Sequence, residues 1–218
     1  MAIPLAWIPD VPMKRIICHW TAGSYHAGPE DLAAYHFLIE GNGRLVKGNS
    51  SIALNSRRVK AGYAAHTLNC NSGSIGISLC CMGGAQEQPF HTGNYPMTAA
   101  QWNTLVATVA ELCTRYRIPI GPRTVLSHAE VETNLGIKQR GKWDISRLPF
   151  DPGCVGAGAC GDRLRRDVAA AMETVPQLVP VGRGLPIKQV VEKLTEILIK
   201  GLAAGLNTLI REIIKRLT

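Results

Sequence analysis

Two histidines and an aspartate in this chain can close three corners of a zinc site: His19 in Cys18-His19-Trp20-Thr21, His128 in Ser127-His128-Ala129-Glu130, and Asp144 ending Gly141-Lys142-Trp143-Asp144. Zinc accepts imidazole nitrogen and carboxylate oxygen, and a site with three protein ligands keeps its fourth corner for water, the layout of a hydrolase and not of a structural metal. Spacing by itself does not select these residues. The two histidines are far apart, no His-Glu-x-x-His pattern occurs, and Asp151 and Cys154 compete with Asp144 for the third place.

Longer segments narrow the choice. In chain order they are Ile16-Ile17-Cys18-His19-Trp20-Thr21-Ala22-Gly23, Tyr35-His36-Phe37-Leu38-Ile39, His66 to Asn71, Ser74-Ile75-Gly76-Ile77, Leu126-Ser127-His128 and Lys142-Trp143-Asp144. Together they resemble the type 2 N-acetylmuramoyl-L-alanine amidases, a family that includes phage amidase endolysins and peptidoglycan-recognition proteins, over roughly residues 14–152.

The resemblance implies Zn2+ as cofactor and hydrolysis of the amide between N-acetylmuramic acid and L-alanine in peptidoglycan. It implies His19, His128 and Asp144 as metal ligands, the family accepting Asp or Cys at the last position. Asp144 is preferred because it stands two residues after Lys142, and in an extended segment those positions point to the same side. Asp151-Pro152-Gly153 is similar to the family's Asp-Pro-Gly ending, yet no lysine stands two residues before Asp151. Lys142 is the expected partner of the developing oxyanion, and Tyr35 matches the family tyrosine that assists positioning or proton transfer near the metal. His66, Asn71 and Trp20 are expected at the substrate groove. One departure stands out: where several members follow Ser-Ile-Gly-Ile with a glutamate proposed as general base, this chain has Ser78, which cannot take a proton as a carboxylate can.

The elements that must position these groups follow from patterning. Apolar residues 15–18 predict a strand that delivers His19 at its end. Residues 36–40 and 44–47 flank Gly41-Asn42-Gly43, a strong hairpin signal, and residues 75–81 read as a buried strand. Thr98 and Gln101 form a capping-box pattern that opens a helix to about Arg117, with Trp102, Leu105, Val109 and Leu112 on one face. Residues 124–127 predict a further strand carrying His128, and a helix is expected from Gly161 to about Glu173. The fold class expected is α/β, a central mainly mixed β-sheet flanked by helices with a C-terminal amphipathic helix, and the site at strand ends and loops. His36 follows Tyr35 on a strand, faces away from it, and reads as packing.

With 218 residues, 46% of them apolar, the chain can bury a full core. The expected organisation is a zinc amidase domain over 1–174, a Pro/Gly-rich linker over 175–186 and a basic amphipathic helix over 187–218. In the tail Leu194, Ile197, Leu198, Leu202, Leu209 and Ile213 recur at helical spacing, and from residue 181 on seven Lys and Arg face three Glu. Lys200 interrupts the apolar run, so a transmembrane span is not expected. A basic amphipathic helix of this kind lies in an anionic membrane or lipopolysaccharide surface, docks on the catalytic domain, or associates with a second copy. The net charge of +8 points to a polyanionic partner. Nucleic acid is not expected, because the basic residues are scattered and no Arg/Lys cluster is interleaved with aromatics. Seven cysteines, two of them adjacent at Cys80-Cys81, do not read as a disulfide framework; Cys154 and Cys160 are close enough to be bridged, with free thiols the preferred reading. Residues 1–10 lack a basic n-region and contain two prolines, so no signal peptide is expected. Synthesis in a host cytoplasm followed by action on the wall after release is the corresponding expectation. Two other function classes stay open: a muropeptide-binding module without catalysis, and a membrane-active protein led by its tail.

Overall fold

The structure, a computed structural model, describes residues 3–174. Five strands form one sheet: β1 (Arg15–Trp20), β2 (Phe37–Ile39), β3 (Leu45–Lys47), β4 (Ser74–Leu79) and β5 (Val125–Ser127), in the order β3-β2-β4-β1-β5. β1 runs parallel to both β4 and β5, β2 runs parallel to β4, and β3 turns back antiparallel on the edge, so the sheet is mixed as expected. The Gly41-Asn42-Gly43 turn sets the β2–β3 register at Phe37↔Lys47 and Ile39↔Leu45. β1 and β4 are almost entirely buried, as strands covered on both faces must be.

Helix α1 (Pro29–Ala34) is short; α2 (Ala99–Tyr116) and α4 (Ala157–Thr174) are long, with α3 (Val131–Leu135) between them. Thr98 caps α2 reciprocally: its Oγ1 accepts from the Gln101 N–H while Gln101 Oε1 accepts from the Thr98 N–H, both at 3.1 Å. The same Gln101 amide is fully buried and donates to the carbonyls of Ile39 and Cys80, tying the helix start to the ends of two strands. Trp102, Leu105, Val109 and Leu112 are buried, the face expected from their spacing. Arg117 ends the helix in the left-handed conformation, earlier than the Pro119-Ile120-Gly121-Pro122 stop. The indole of Trp102 donates to Asp167 at 2.9 Å, which joins α2 to α4.

Alternation along β1 sorts its side chains into two layers. Ile16, Cys18 and Trp20 enter the main core with α2 and α4, whereas Ile17 joins Cys70, Leu126 and Val131 on the opposite face. His19 therefore shares the second face, which α3 and loops cover instead of the long helices.

α4 begins at Ala157, four residues before the expected Gly161. Gly161 is an interior position and not a start signal: a methyl group there would run into the Glu130 carboxylate, so the missing side chain is what lets the two meet. The stretch around Lys142 also differs from expectation. Arg140, Gly141 and Ile145 all have positive φ, so 140–145 is a looping turn and not an extended segment. The linker and amphipathic helix expected over 175–218 lie outside the described residues.

Candidate active site

Strand register brings the first two residues together. β1 and β5 are parallel with Ile17 beside Leu126 and Cys18 beside Ser127, and the residue that follows each of Cys18 and Ser127 is a histidine. His19 and His128 are separated by 109 positions in sequence, yet their Nδ1 atoms lie 3.0 Å apart. β5 ends there, and His128 opens the short 3-10 turn His128–Glu130. This is the carboxyl end of parallel strands, where open α/β sheets place their ligands.

The 140–145 turn supplies the third group. Asp144 Oδ2 lies 3.3 Å from His128 Nδ1 and 3.5 Å from His19 Nδ1. Three donor atoms thus form a triangle with edges of 3.0, 3.3 and 3.5 Å. A tetrahedral zinc with bonds of the usual length to nitrogen and oxygen requires edges of about 3.4 Å between its ligand atoms. The donor set and its spacing fit that ion, and among the described residues this trio is the only His/Cys/Asp/Glu cluster able to hold a metal. Asp151 points elsewhere, into an ion pair with Arg163 at 2.8 Å. Cys154 lies 3.3 Å, sulfur to sulfur, from Cys160, both as free thiols.

Protonation states favour the same use. Burial pushes His19 down to about 4, with the neighbouring His128 adding to the effect and the Asp144 carboxylate opposing it, so the imidazole is neutral near pH 7. Burial alone would raise Asp144, but its contacts with His128 and His19 hold it well below the usual carboxylate range. A neutral imidazole and an ionised carboxylate are the ligand forms a metal needs.

The residues around the trio are closely engaged. The Tyr35 ring is 5.1 Å from that of His19, and burial together with the charge of Asp144 pushes its phenol up to about 12. Lys142 is exposed, near enough for its charge to disfavour protonation of His19. Ser78 pairs with His19 across β1 and β4, fully buried. His66 is only 6% exposed and sits behind His19, its Nδ1 3.3 Å from His19 Nε2. Asn71 is turned inward, its Oδ1 accepting from the backbone N–H of His66 and of Thr67. Trp20 is 5% exposed and meets Trp143 edge-on at 4.7 Å.

His36 belongs to a separate buried network. Its Nδ1 accepts from the Gly76 N–H and its Nε2–H donates to Asn55 Oδ1, each at 3.0 Å. Burial pushes it from 6.5 down to about 4. The unfolded chain takes up that proton near pH 6.5 and the fold refuses it until about 4, so the contribution is full above 6.5 and is lost as pH falls between the two. We predict that metal-free protein loses about 3 kcal/mol through this residue between pH 7 and 4. Urea unfolding at several pH values, compared with His36→Gln, checks this. Equal pH slopes for the two proteins refute it.

Two features had little or no signal in the sequence. Glu130 is 3% exposed, bonds Arg165 Nη2 at 2.9 Å and accepts from the Ser127 N–H at 2.9 Å, bracing the turn that presents His128. The Ser-x-x-Glu spacing of Ser127 and Glu130 is the one clue that could have found it. Gln139 is 4% exposed and accepts at 2.9 Å from His128 Nε2, and nothing in a polar loop marks it out.

A model of the N-acetylmuramoyl-L-alanine amidase family matches residues 9–146. No curated protein matches the chain. Among solved structures, the chain is similar to the N-acetylmuramoyl-L-alanine amidase LysC from Clostridium intestinale, at 18% identity over 65% of this chain and 82% of that one, with a TM-score of 0.39. It is similar to the amidase AmiD from E. coli, determined with the substrate anhydro-N-acetylmuramic acid-L-Ala-D-gamma-Glu-L-Lys, at 24% identity over 56% of this chain and 51% of that one, TM-score 0.39. It is also similar to the drosophila peptidoglycan recognition protein SD, at 19% identity over 60% and 76%, TM-score 0.38.

Proposed function

The chain belongs to the N-acetylmuramoyl-L-alanine amidase family and is an enzyme of that class, and from this premise we propose that it cuts the amide between N-acetylmuramic acid and L-alanine in peptidoglycan at a zinc ion held by His19, His128 and Asp144. The observation that carries the metal assignment is the triangle of His19 Nδ1, His128 Nδ1 and Asp144 Oδ2, with edges of 3.0 to 3.5 Å. Zinc bound there supplies a Lewis acid that polarises the carbonyl and acidifies water to a pKa of roughly 7.

The chain's own groups account for the remaining chemistry. Asp144 stays ionised and His19 stays neutral, so both offer lone pairs inward at neutral pH. Water adds to the amide carbonyl carbon, the carbon–nitrogen bond breaks, and the proton ends on the departing L-alanine nitrogen. Tyr35, held protonated by its raised pKa, acts as a hydrogen-bond donor that orients the carbonyl and not as a base. Ser78 adds no carboxylate to the site. Lys142 offers its ammonium to the oxyanion that develops. Lys142→Ala is expected to lower kcat about 100- to 1,000-fold, as loss of one oxyanion donor does, while zinc content stays whole. A variant with unchanged kcat removes Lys142 from the mechanism.

We further assign the protein to the phage or prophage endolysins, with the basic tail contacting an anionic envelope surface. Support for the tail's role is its sequence: seven Lys and Arg against three Glu over 181–218, with apolar residues at helical spacing. Among the described residues no helix is long and apolar enough to cross a membrane. The test of the activity is mass spectrometry of digested sacculi. New free L-alanine amino termini, lost with chelator and restored by zinc, are expected; cleavage between sugars would overturn the assignment.

A further inference from the structure

We propose that Gln139 is a positioning residue that fixes the tautomer of His128 and so pre-forms the metal face before any ion arrives; the proposal rests on the zinc reading above. An imidazole can offer its Nδ1 lone pair only if its proton sits on Nε2, and in water neutral histidine populates both tautomers. His128 Nε2 lies 2.9 Å from Gln139 Oε1. That contact is directional only if the amide oxygen, and not its nitrogen, faces the ring. Two contacts of the amide nitrogen decide the orientation, and a third holds the backbone. The Gln139 amide nitrogen donates to the carbonyls of Leu68 at 3.0 Å and Ile137 at 3.2 Å, both obligate acceptors. The Gln139 backbone N–H is held by Glu132 at 3.1 Å, which fixes the main chain from which the side chain projects. The amide oxygen therefore has one orientation, and it requires the proton of His128 to be on Nε2.

Leu68 lies between Thr67 and the rest of the loop that closes on the other histidine. Thr67 Oγ1 lies 3.4 Å from His19 Nε2, so the loop that receives the Gln139 amide also backs the second ligand. One buried amide thereby ties the surroundings of His128 to those of His19. Partners of this kind behind a ligating histidine typically govern 10- to 100-fold of metal affinity.

The test uses the full chain and zinc alone as probe. Zinc affinity is measured by competition with a chromophoric chelator for wild type, Gln139→Met and Gln139→Glu, and ring nitrogen shifts of His128 are recorded by NMR in the metal-free proteins. Gln139→Met keeps the side chain's bulk and removes the acceptor; Gln139→Glu keeps an acceptor for the ring N–H and loses the donors to the Leu68 and Ile137 carbonyls. The expected result is affinity lowered about 10- to 100-fold in Gln139→Met, and His128 shifts that leave the pure Nε2–H form only in the methionine variant. A methionine variant that binds zinc like wild type, or whose His128 stays wholly Nε2–H, overturns the proposal. If Gln139→Met fails to fold, the wild-type shifts decide: a His128 that carries its proton on Nδ1, or divides it between the two nitrogens, in the metal-free protein overturns it. Wild-type protein that binds no zinc refutes the metal reading itself, an outcome separate from any difference among the variants.

Discussion

Asp144→Ala is expected to strip the protein of zinc and of lytic activity together while leaving the fold in place. The carboxylate is the only anionic member of the trio, and without it two neutral imidazoles face a dication with no charge to offset it. Removing a partner that merely supports a ligand costs about 10- to 100-fold in affinity, so loss of the ligand itself should exceed that range. The fold should tolerate the change, because Asp144 lies in the 140–145 turn and not in the sheet or a long helix. Zinc content by mass spectrometry and turbidity loss on purified sacculi measure the two effects. Full metal content with full lytic power in the variant would sink the site as assigned.

The largest effect on stability is expected from Glu130→Ala. Glu130 and Arg165 are both buried, at 3% and 8% exposure, and meet through two contacts of 2.9 and 3.3 Å. Arg165 also donates to the Val125 carbonyl at 2.9 Å and to Asp162 at 2.8 Å, so the pair clamps β5, α4 and the turn that begins at His128. Truncating one partner leaves a guanidinium largely buried with its main counter-charge gone, which costs about 3 to 5 kcal/mol. That is a large share of the total stability of a domain this size. Because Glu130 also holds the Ser127 N–H, the variant should lose catalytic rate even at temperatures where it stays folded. Adding Arg165→Met removes the stranded charge, and the double variant is expected to regain most of the lost stability in urea unfolding. A double variant no more stable than Glu130→Ala shows that the charge is not what the single change strands.

Much of the fold could be read in the chain because its signals are local. The Thr98 and Gln101 capping box, the Gly41-Asn42-Gly43 turn and the apolar runs of β1 and β4 each specify their element through contacts only a few residues long. Their structural counterparts fall where expected. Two readings failed for one shared reason. Gly161 looked like a helix start and the stretch before Asp144 looked extended, but each conformation is set by a distant partner or by consecutive positive-φ residues that no local pattern announces.

Residue types and family motifs in the sequence pointed to the chemistry proposed: His19, His128 and Asp144 stand in segments that match a known family, and few side chains can ligate zinc. Whether the three donor atoms meet was decided by the parallel register of β1 and β5, which places two histidines 109 residues apart side by side, and by the 140–145 turn, which brings Asp144 to them. Tertiary structure alone also decided the supporting groups. Gln139 and Arg165 are ordinary polar residues in sequence, and their roles come from being buried against a particular imidazole and a particular carboxylate. A side chain's type travels with the chain, but the direction of its hydrogen bond is set only when distant backbone segments close around it.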